Sequence, residues 1–285
     1  MQGVWLIKEN LVKPFFCCLF ASLLPCVASA ETYVVGVEKA QFLPYYTVDA
    51  QGQYSGYARE LLDSFAASAG VTFVYRPIAT AGLLDELLSG GVDFKYPDNA
   101  AWGKSARLGK NVSYSAATVD YIDGVLVAPP QHGKGLEQLK RLAVVKGWTP
   151  QQYGAAIDAG QISQVDSDNL ITMIRSAVKK QADGVYYNVE VALYALNNSG
   201  KFINALQFDA GLPYNRGSYQ LSTIQHAPLL KRFNQFLAEN QAEVQALKAK
   251  YRVEENINSE FVGLEQWKID FIKRQRAKEQ AAKKG

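Results

Sequence analysis

From residue 32 onward, short runs of β-branched and aromatic residues alternate with longer stretches whose apolar positions return every three or four residues. The first kind reads as buried strand and the second as amphipathic helix. Residues 32–37 (Thr-Tyr-Val-Val-Gly-Val) and 71–75 (Val-Thr-Phe-Val-Tyr) are strands on this reading. Between them, residues 56–69 place Tyr57, Leu61, Leu62, Phe65 and Ala69 at helical spacing, and Gly70 stops the helix. Residues 80–88 form a second helix. Gly90-Gly91 then supplies the positive φ values that turn this helix directly into a buried strand. That strand is expected to end in a polar loop holding Tyr96, Pro97, Asp98 and Asn99. A β-α-β-α-β order implies right-handed crossovers and a mostly parallel sheet. Ligands bind beyond the carboxyl ends of such strands, which makes the 96–99 loop the place to expect a site.

The pattern then repeats. Residues 121–127 are a strand, and Pro129-Pro130-Gln131-His132-Gly133 breaks the chain. Residues 142–145 are another strand, followed by a turn at Lys146-Gly147-Trp148-Thr149-Pro150. Thr149 there suits a helix N-cap with Pro150 at N1, and free N–H groups at that end could receive an anion. Residues 169–180 put Leu170, Met173, Ile174 and Val178 on one helix face, and 181–188 repeat the helix end, small turn and strand of 89–96. Two similar α/β units predict two lobes with a cleft between them. Residues 206–224 carry the chain back to the first lobe, and 229–251 read as one long helix. From Trp267 the tail is strongly basic and reads as a solvated, frayed terminal helix. The expected division is a leader over 1–30, a first lobe over 31–124 and 217–266, a second lobe over 125–216 and a tail over 267–285.

The leader follows from charge and hydropathy. Lys8 and Lys13 precede an apolar run over 15–27 that is too short to span a bilayer, and Ala28-Ser29-Ala30 has the form of a cleavage site before Glu31. Secretion into a periplasm is expected. All three cysteines (Cys17, Cys18 and Cys26) lie in the leader, so the mature chain holds neither a disulfide nor a thiolate metal site. Some 255 residues remain, enough for one large domain or two lobes. With Lys8, Lys13 and Glu9 removed, 28 basic residues face 26 acidic ones, a balance that argues against nucleic acid as a partner. His132 and His226 are the only histidines, and no Ser-His-Asp arrangement, H-E-x-x-H or phosphate-binding glycine loop occurs. Glu38, Asp93 and Asp98 are the acids a catalytic pair would draw on, although Asp93 reads as a strand-turn residue bonded to backbone. No cofactor is expected.

The aromatic residues Phe42, Tyr45, Tyr96, Trp102 and Trp148 fall at strand ends, together with the acids Glu38 and Asp98. Carboxylates among aromatic rings suit an ammonium or guanidinium group.

The order of Phe42-Leu43-Pro44-Tyr45, Gly52-x-x-x-Gly56-Tyr57, Leu88-Ser89-Gly90-Gly91-Val92-Asp93, Tyr114-Ser115, Lys146-Gly147-Trp148-Thr149 and Ala182-Asp183-Gly184-Val185 resembles the bacterial extracellular solute-binding proteins of family 3. The resemblance implies an α/β, two-lobed periplasmic-binding-protein fold (type II) with two hinge strands, near 125–128 and 212–222. It also implies a monomer that closes on a small-molecule ligand and presents it to a membrane permease or sensor protein. Family members hold an amino acid's carboxylate with the arginine of a T-x-x-R motif, and its amino group with an acid at the end of the second lobe's strand. Here the corresponding segment runs Ala100-Ala101-Trp102-Gly103-Lys104-Ser105-Ala106-Arg107 and lacks the motif. Lys104 and Arg107 are its nearest cations, and neutral Asn188, with Glu190 nearby, stands where the acid would be. The resemblance therefore points to Glu38, Phe42, Tyr45, Tyr96, Asp98, Asn99, Trp102, Lys104, Arg107, Trp148, Thr149 and Asn188 as ligand residues. Two alternatives stay open: a periplasmic enzyme on the same fold, since a few relatives are dehydratases, and a module that binds protein without a small ligand.

Overall fold

The run of β-branched residues after Glu31 forms β1 (Thr32–Glu38), whose last four residues are buried. The computed structural model describes residues 1–3, 30–148, 150–264 and 266–282, so the predicted leader lies almost wholly outside the described residues. Residues 31–285 form one unit by themselves. After β1 comes a small antiparallel sheet of β2 (Gln41–Phe42), β3 (Tyr46–Val48) and β4 (Tyr54–Ser55). Next is α1 (Tyr57–Ala69), which buries the predicted Tyr57, Leu61, Leu62 and Phe65 and ends at Gly70 with φ 66°. β5 (Thr72–Ile78), α2 (Thr80–Leu88) and β6 (Phe94–Asp98) follow. Gly90 alone takes the positive φ of the turn, at 78°. Gly91 has no positive φ, and a Cβ there would require the partly exposed Glu86 carboxylate to shift. Asp93 bonds backbone as its place in the turn implies: its carboxylate accepts from Val34 N–H at 2.7 Å, and its other oxygen lies 2.9 Å from His226 Nε2.

After β7 (Ser113–Tyr114) the chain enters β8 (Val119–Val127) and builds the second half. That half comprises β9 (Arg141–Val145), α3 (Gly154–Asp158), β10 (Ser163–Ser167), α4 (Leu170–Val178), β11 (Gly184–Asn188), α5 (Val189–Asn198) and β12 (Gln207–Phe208). The chain returns through β13 (Asn215–Thr223) to α6 (Ala227–Glu239), α7 (Gln241–Tyr251) and α8 (Gln266–Ala282). The long helix expected over 229–251 is thus two helices, broken at Asn240, whose φ of −110° and ψ of 35° leave the helical region. Residues 189–198, given no element by the sequence pattern, are helical, and the Asn188 side chain caps their first turn. The basic tail is helical as expected, but it is anchored: Ile269 is buried and Arg276 pairs with Glu260.

The main sheet runs β10-β9-β11-β8-β13-β6-β1-β5. Each half has a parallel core, β1 between β5 and β6, and β9 between β10 and β11. The centre departs from the mostly parallel sheet that the βαβ order predicts, because β8 is antiparallel to β11 and β13, and β13 is antiparallel to β6. β13 serves both halves in turn. Residues 215–219 pair with β8, and after an irregularity Gln220 and Ser222 pair with Asp98 and Lys95 of β6. α1 and α2 cover the first half of the sheet, and α4 and α5 the second.

Candidate ligand-binding cleft

The carboxyl ends of β1, β6 and β9 converge with the facing stretches of β8 and β13 around a cleft of about 450 Å³. This is where strand ends in an α/β sheet leave room for a ligand. β1 contributes Glu38, and the loop after β6 contributes Asn99, Trp102 and Arg107. Tyr121 and Asp123 come from β8, Trp148 from the turn after β9, Tyr186 from β11, and Arg216 and Tyr219 from β13. Gly217 permits this wall to form, since a Cβ there would stand 2.5 Å from the Tyr121 hydroxyl.

Aromatic rings line both walls. Tyr121 stacks on Tyr219 with centroids 4.5 Å apart, and Trp102 meets the pair at 6.0 and 5.9 Å. Across from them, Phe42 stacks on Tyr46 at 5.1 Å and meets Trp148 at 6.3 Å, while Trp148 stacks on Tyr187 at 5.0 Å. Lys95 Nζ stands 5.5 Å from the Trp102 ring centroid. These π faces attract a cation.

The charges divide into two sets. Asp98 is fully buried, and its Oδ1 accepts from Lys95 Nζ at 2.9 Å, Arg107 Nη2 at 2.7 Å and its neighbour's N–H, Asn99, at 2.8 Å. Its Oδ2 accepts from Arg107 Nη1 at 3.1 Å and Ser222 Oγ at 2.5 Å. Burial alone would push this carboxyl up, but Lys95 and Arg107 hold it below its ordinary value. Glu38 and Asp123 behave in the opposite way. Burial raises Glu38, partly offset by the hydrogen bond from Tyr46 and the charge of Lys95. Burial, and then the charge of Glu38, push Asp123 up to about 7. Among the described residues no side chain or backbone group hydrogen-bonds the Asp123 carboxylate.

Six of the twelve expected ligand residues line the cleft: Glu38, Phe42, Asn99, Trp102, Arg107 and Trp148. Asn99 spends its amide on the chain, donating to Ser218 O at 3.0 Å and accepting from Ala101 N–H at 2.8 Å. Five others are not brought to the cleft surface. The expected 96–99 loop is strand through Asp98, which puts Tyr96 and Asp98 beneath the surface, with Tyr96 bonded to Thr118 Oγ1 at 2.8 Å. Lys104 is exposed to solvent. Asn188 accepts from Val191 N–H at 3.0 Å and donates to Tyr219 Oη at 3.1 Å. Tyr45 donates to Glu190 behind β8. Thr149 lies outside the described residues. Sequence reasoning missed Lys95, Tyr121, Asp123, Tyr186, Arg216 and Tyr219. The available signal was Asp123 itself, an acid in the apolar strand Val-Asp-Tyr-Ile-Asp-Gly-Val-Leu-Val.

A second, larger hollow of about 710 Å³ lies between α5 and residues 251–270. Glu190 at its base is committed to Tyr45 Oη and to the backbone N–H groups of Glu254 and Glu255. Among the described residues, no group of His, Cys, Asp and Glu could hold a metal ion, and no helix is long and apolar enough to cross a membrane.

The family model for bacterial extracellular solute-binding proteins, family 3, matches residues 33–255. Among solved structures, an ancestral arginine-binding protein bound to arginine superposes with a TM-score of 0.62 at 20% identity, over 77% of this chain and 97% of that one. A histidine kinase sensor domain with similarity to periplasmic binding proteins gives a TM-score of 0.62 at 19% identity, over 78% and 96%. The arginine-specific periplasmic binding protein of Salmonella typhimurium gives 0.59 at 16% identity, over 78% and 99%. An ancestral amino acid-binding protein, precursor of cyclohexadienyl dehydratase, gives 0.59 at 20% identity, over 77% and 94%. No curated protein sequence matches at a significant level. The fold is the two-lobed periplasmic-binding-protein fold.

Proposed function

The chain belongs to the bacterial extracellular solute-binding proteins of family 3, and we propose that it captures a small ligand carrying an ammonium or guanidinium group and presents it to a membrane permease or sensor. The observation that carries this reading is Asp123, an unpartnered carboxylate facing the same cleft as Glu38, between two aromatic walls. A cation between them would supply the positive charge that Asp123 lacks, and would keep it ionised. Such neighbours as the arginine-binding proteins and the kinase sensor domain are in keeping with it.

On this reading the lobes comprise residues 31–124 with 217–266, and 125–216, and the mature chain begins after Ala30 in the periplasm. β8 and β13 are then the hinges. A ligand that touches Glu38 and Asp123 on one side and Trp148 on the other reaches all of its partners only when the lobes are closed, and so shifts the population toward the closed form. The test is thermal unfolding of residues 31–285 against arginine, lysine, putrescine, glutamate and succinate. A ligand at 100 times its dissociation constant stabilises the folded form by about 2.7 kcal/mol. Amines should raise the midpoint and lose that effect in Asp123→Asn. A shift produced by succinate or glutamate and by none of the amines would sink the reading.

A further inference from the structure

Three cations line the cleft among the described residues: Lys95, Arg107 and Arg216. A ligand carboxylate would need one of them with its donors open, since an acid taken from water into a cleft beside Glu38 and Asp123 is disfavoured unless it is paired. Arg107 has the fork that such a group requires, but the fork is occupied. Its Nη1 and Nη2 clasp Asp98 at 3.1 and 2.7 Å, Nη1 also donates to Tyr114 Oη at 2.6 Å, and Nε donates to Trp102 O at 2.8 Å. Four of its five N–H groups are therefore spent. Lys95 gives two of its three to Pro97 O at 2.7 Å and Asp98 Oδ1 at 2.9 Å. Arg216 sits exposed at the rim and holds the Asn258 side chain at 2.9 Å. Asp98 cannot readily yield its place. It is fully buried, and Ser222 and the Asn99 N–H hold it in addition to the two cations.

Resting on the cationic reading of the cleft, we propose that Asp98 is a built-in carboxylate that excludes α-amino acids, so that the ligand is an amine or guanidine lacking a carboxylate. The protein fills the carboxylate position of its own site, and the acids that face the cleft, Glu38 and Asp123, favour positive charge. Asp98 is then a specificity-determining residue that acts through Arg107 without touching the ligand.

Calorimetric titration of residues 31–285 with two matched pairs decides the matter: agmatine against arginine, and cadaverine against lysine. Each pair differs by one carboxylate. The decarboxylated member is expected to bind tighter by about tenfold or more, the scale of a single charged hydrogen bond. In folded Asp98→Asn, which releases the Arg107 fork, the ratio should move toward the amino acid. Equal or tighter binding of arginine and lysine would overturn the inference and leave the cationic reading standing. An unchanged ratio in folded Asp98→Asn would also overturn it. If no amine of either pair binds while succinate does, the cationic reading itself fails. The unaltered protein settles the ligand class, so a variant that fails to fold does not remove the test.

Discussion

The corner of the cleft around Asp98 and the wall that carries Asp123 each place a carboxylate among aromatic side chains, yet their chemistry is opposite. Asp98 receives five donors and is held below its ordinary value. Asp123 receives none among the described residues and is pushed up to about 7. The first arrangement is finished without a ligand, and the second is not. The hollow behind α5 makes the same point: it is larger than the cleft, at about 710 against 450 Å³, but Glu190 at its base is already committed. Open valence rather than volume marks a place for a ligand.

The comparison breaks first at Asp98. Asp98→Ala would leave Lys95 and Arg107 buried without their partner, and should cost about 3–5 kcal/mol of unfolding free energy. Urea denaturation measures this directly, and a loss below about 1 kcal/mol would mean that the corner is not rigid. Asp123→Asn should do the reverse. It leaves stability equal or higher at neutral pH and costs about 1.5–3 kcal/mol of amine binding, roughly a tenfold to hundredfold loss in affinity.

A pH series sharpens the contrast. Asp123 in the folded protein titrates above the ordinary carboxylate value near 4. Between about pH 4 and 7 the unfolded chain ionises there while the folded chain keeps its proton, so this group lowers stability as pH rises through that window. Glu190, also pushed up to about 7, and Glu38 add to the same slope. Asp98, held low, contributes stability above pH 4 that acid removes. Asp123→Asn should flatten the decline between pH 4 and 7 by roughly 1–2 kcal/mol, and amine affinity in the unaltered protein should rise with pH through 7. Affinity independent of pH from 5 to 8 would show that Asp123 does not face the ligand. The smallest effect is expected from Tyr45→Phe. It removes the bond to Glu190, costs about 1 kcal/mol of stability and leaves amine affinity unchanged.

How far the sequence alone reaches follows the range of the forces involved. Periodicity and glycine stops are local, and they located β1, α1, α2, β9 and α4 nearly to the residue. The antiparallel centre of the sheet depends on which distant strands meet, and no local pattern encodes the pairing of Gln220 with Asp98. Six aromatic, polar and charged residues were found for the cleft because strand ends are visible in the pattern. Asp98, Tyr96 and Asn188 looked equally suitable, and only the partners that absorb them, Arg107, Thr118 and the first turn of α5, tell them apart. Asp123 was passed over because its strand reads as apolar core. A strand that faces both a lobe interior and a cleft cannot be resolved by hydropathy alone.

The shared strand β13 also sets an order of assembly. Phe94–Asp98 is synthesised early, but Ser222, which closes over Asp98, comes 124 residues later. Loop closure over that span is slow compared with local helix formation. Until the chain returns, Lys95, Asp98 and Arg107 remain wet, and the first half of the sheet lacks the edge partner that β13 provides for β6. An amino-terminal fragment ending before residue 215 should therefore fail to close its own core, which is completed only when the last quarter of the chain has been made.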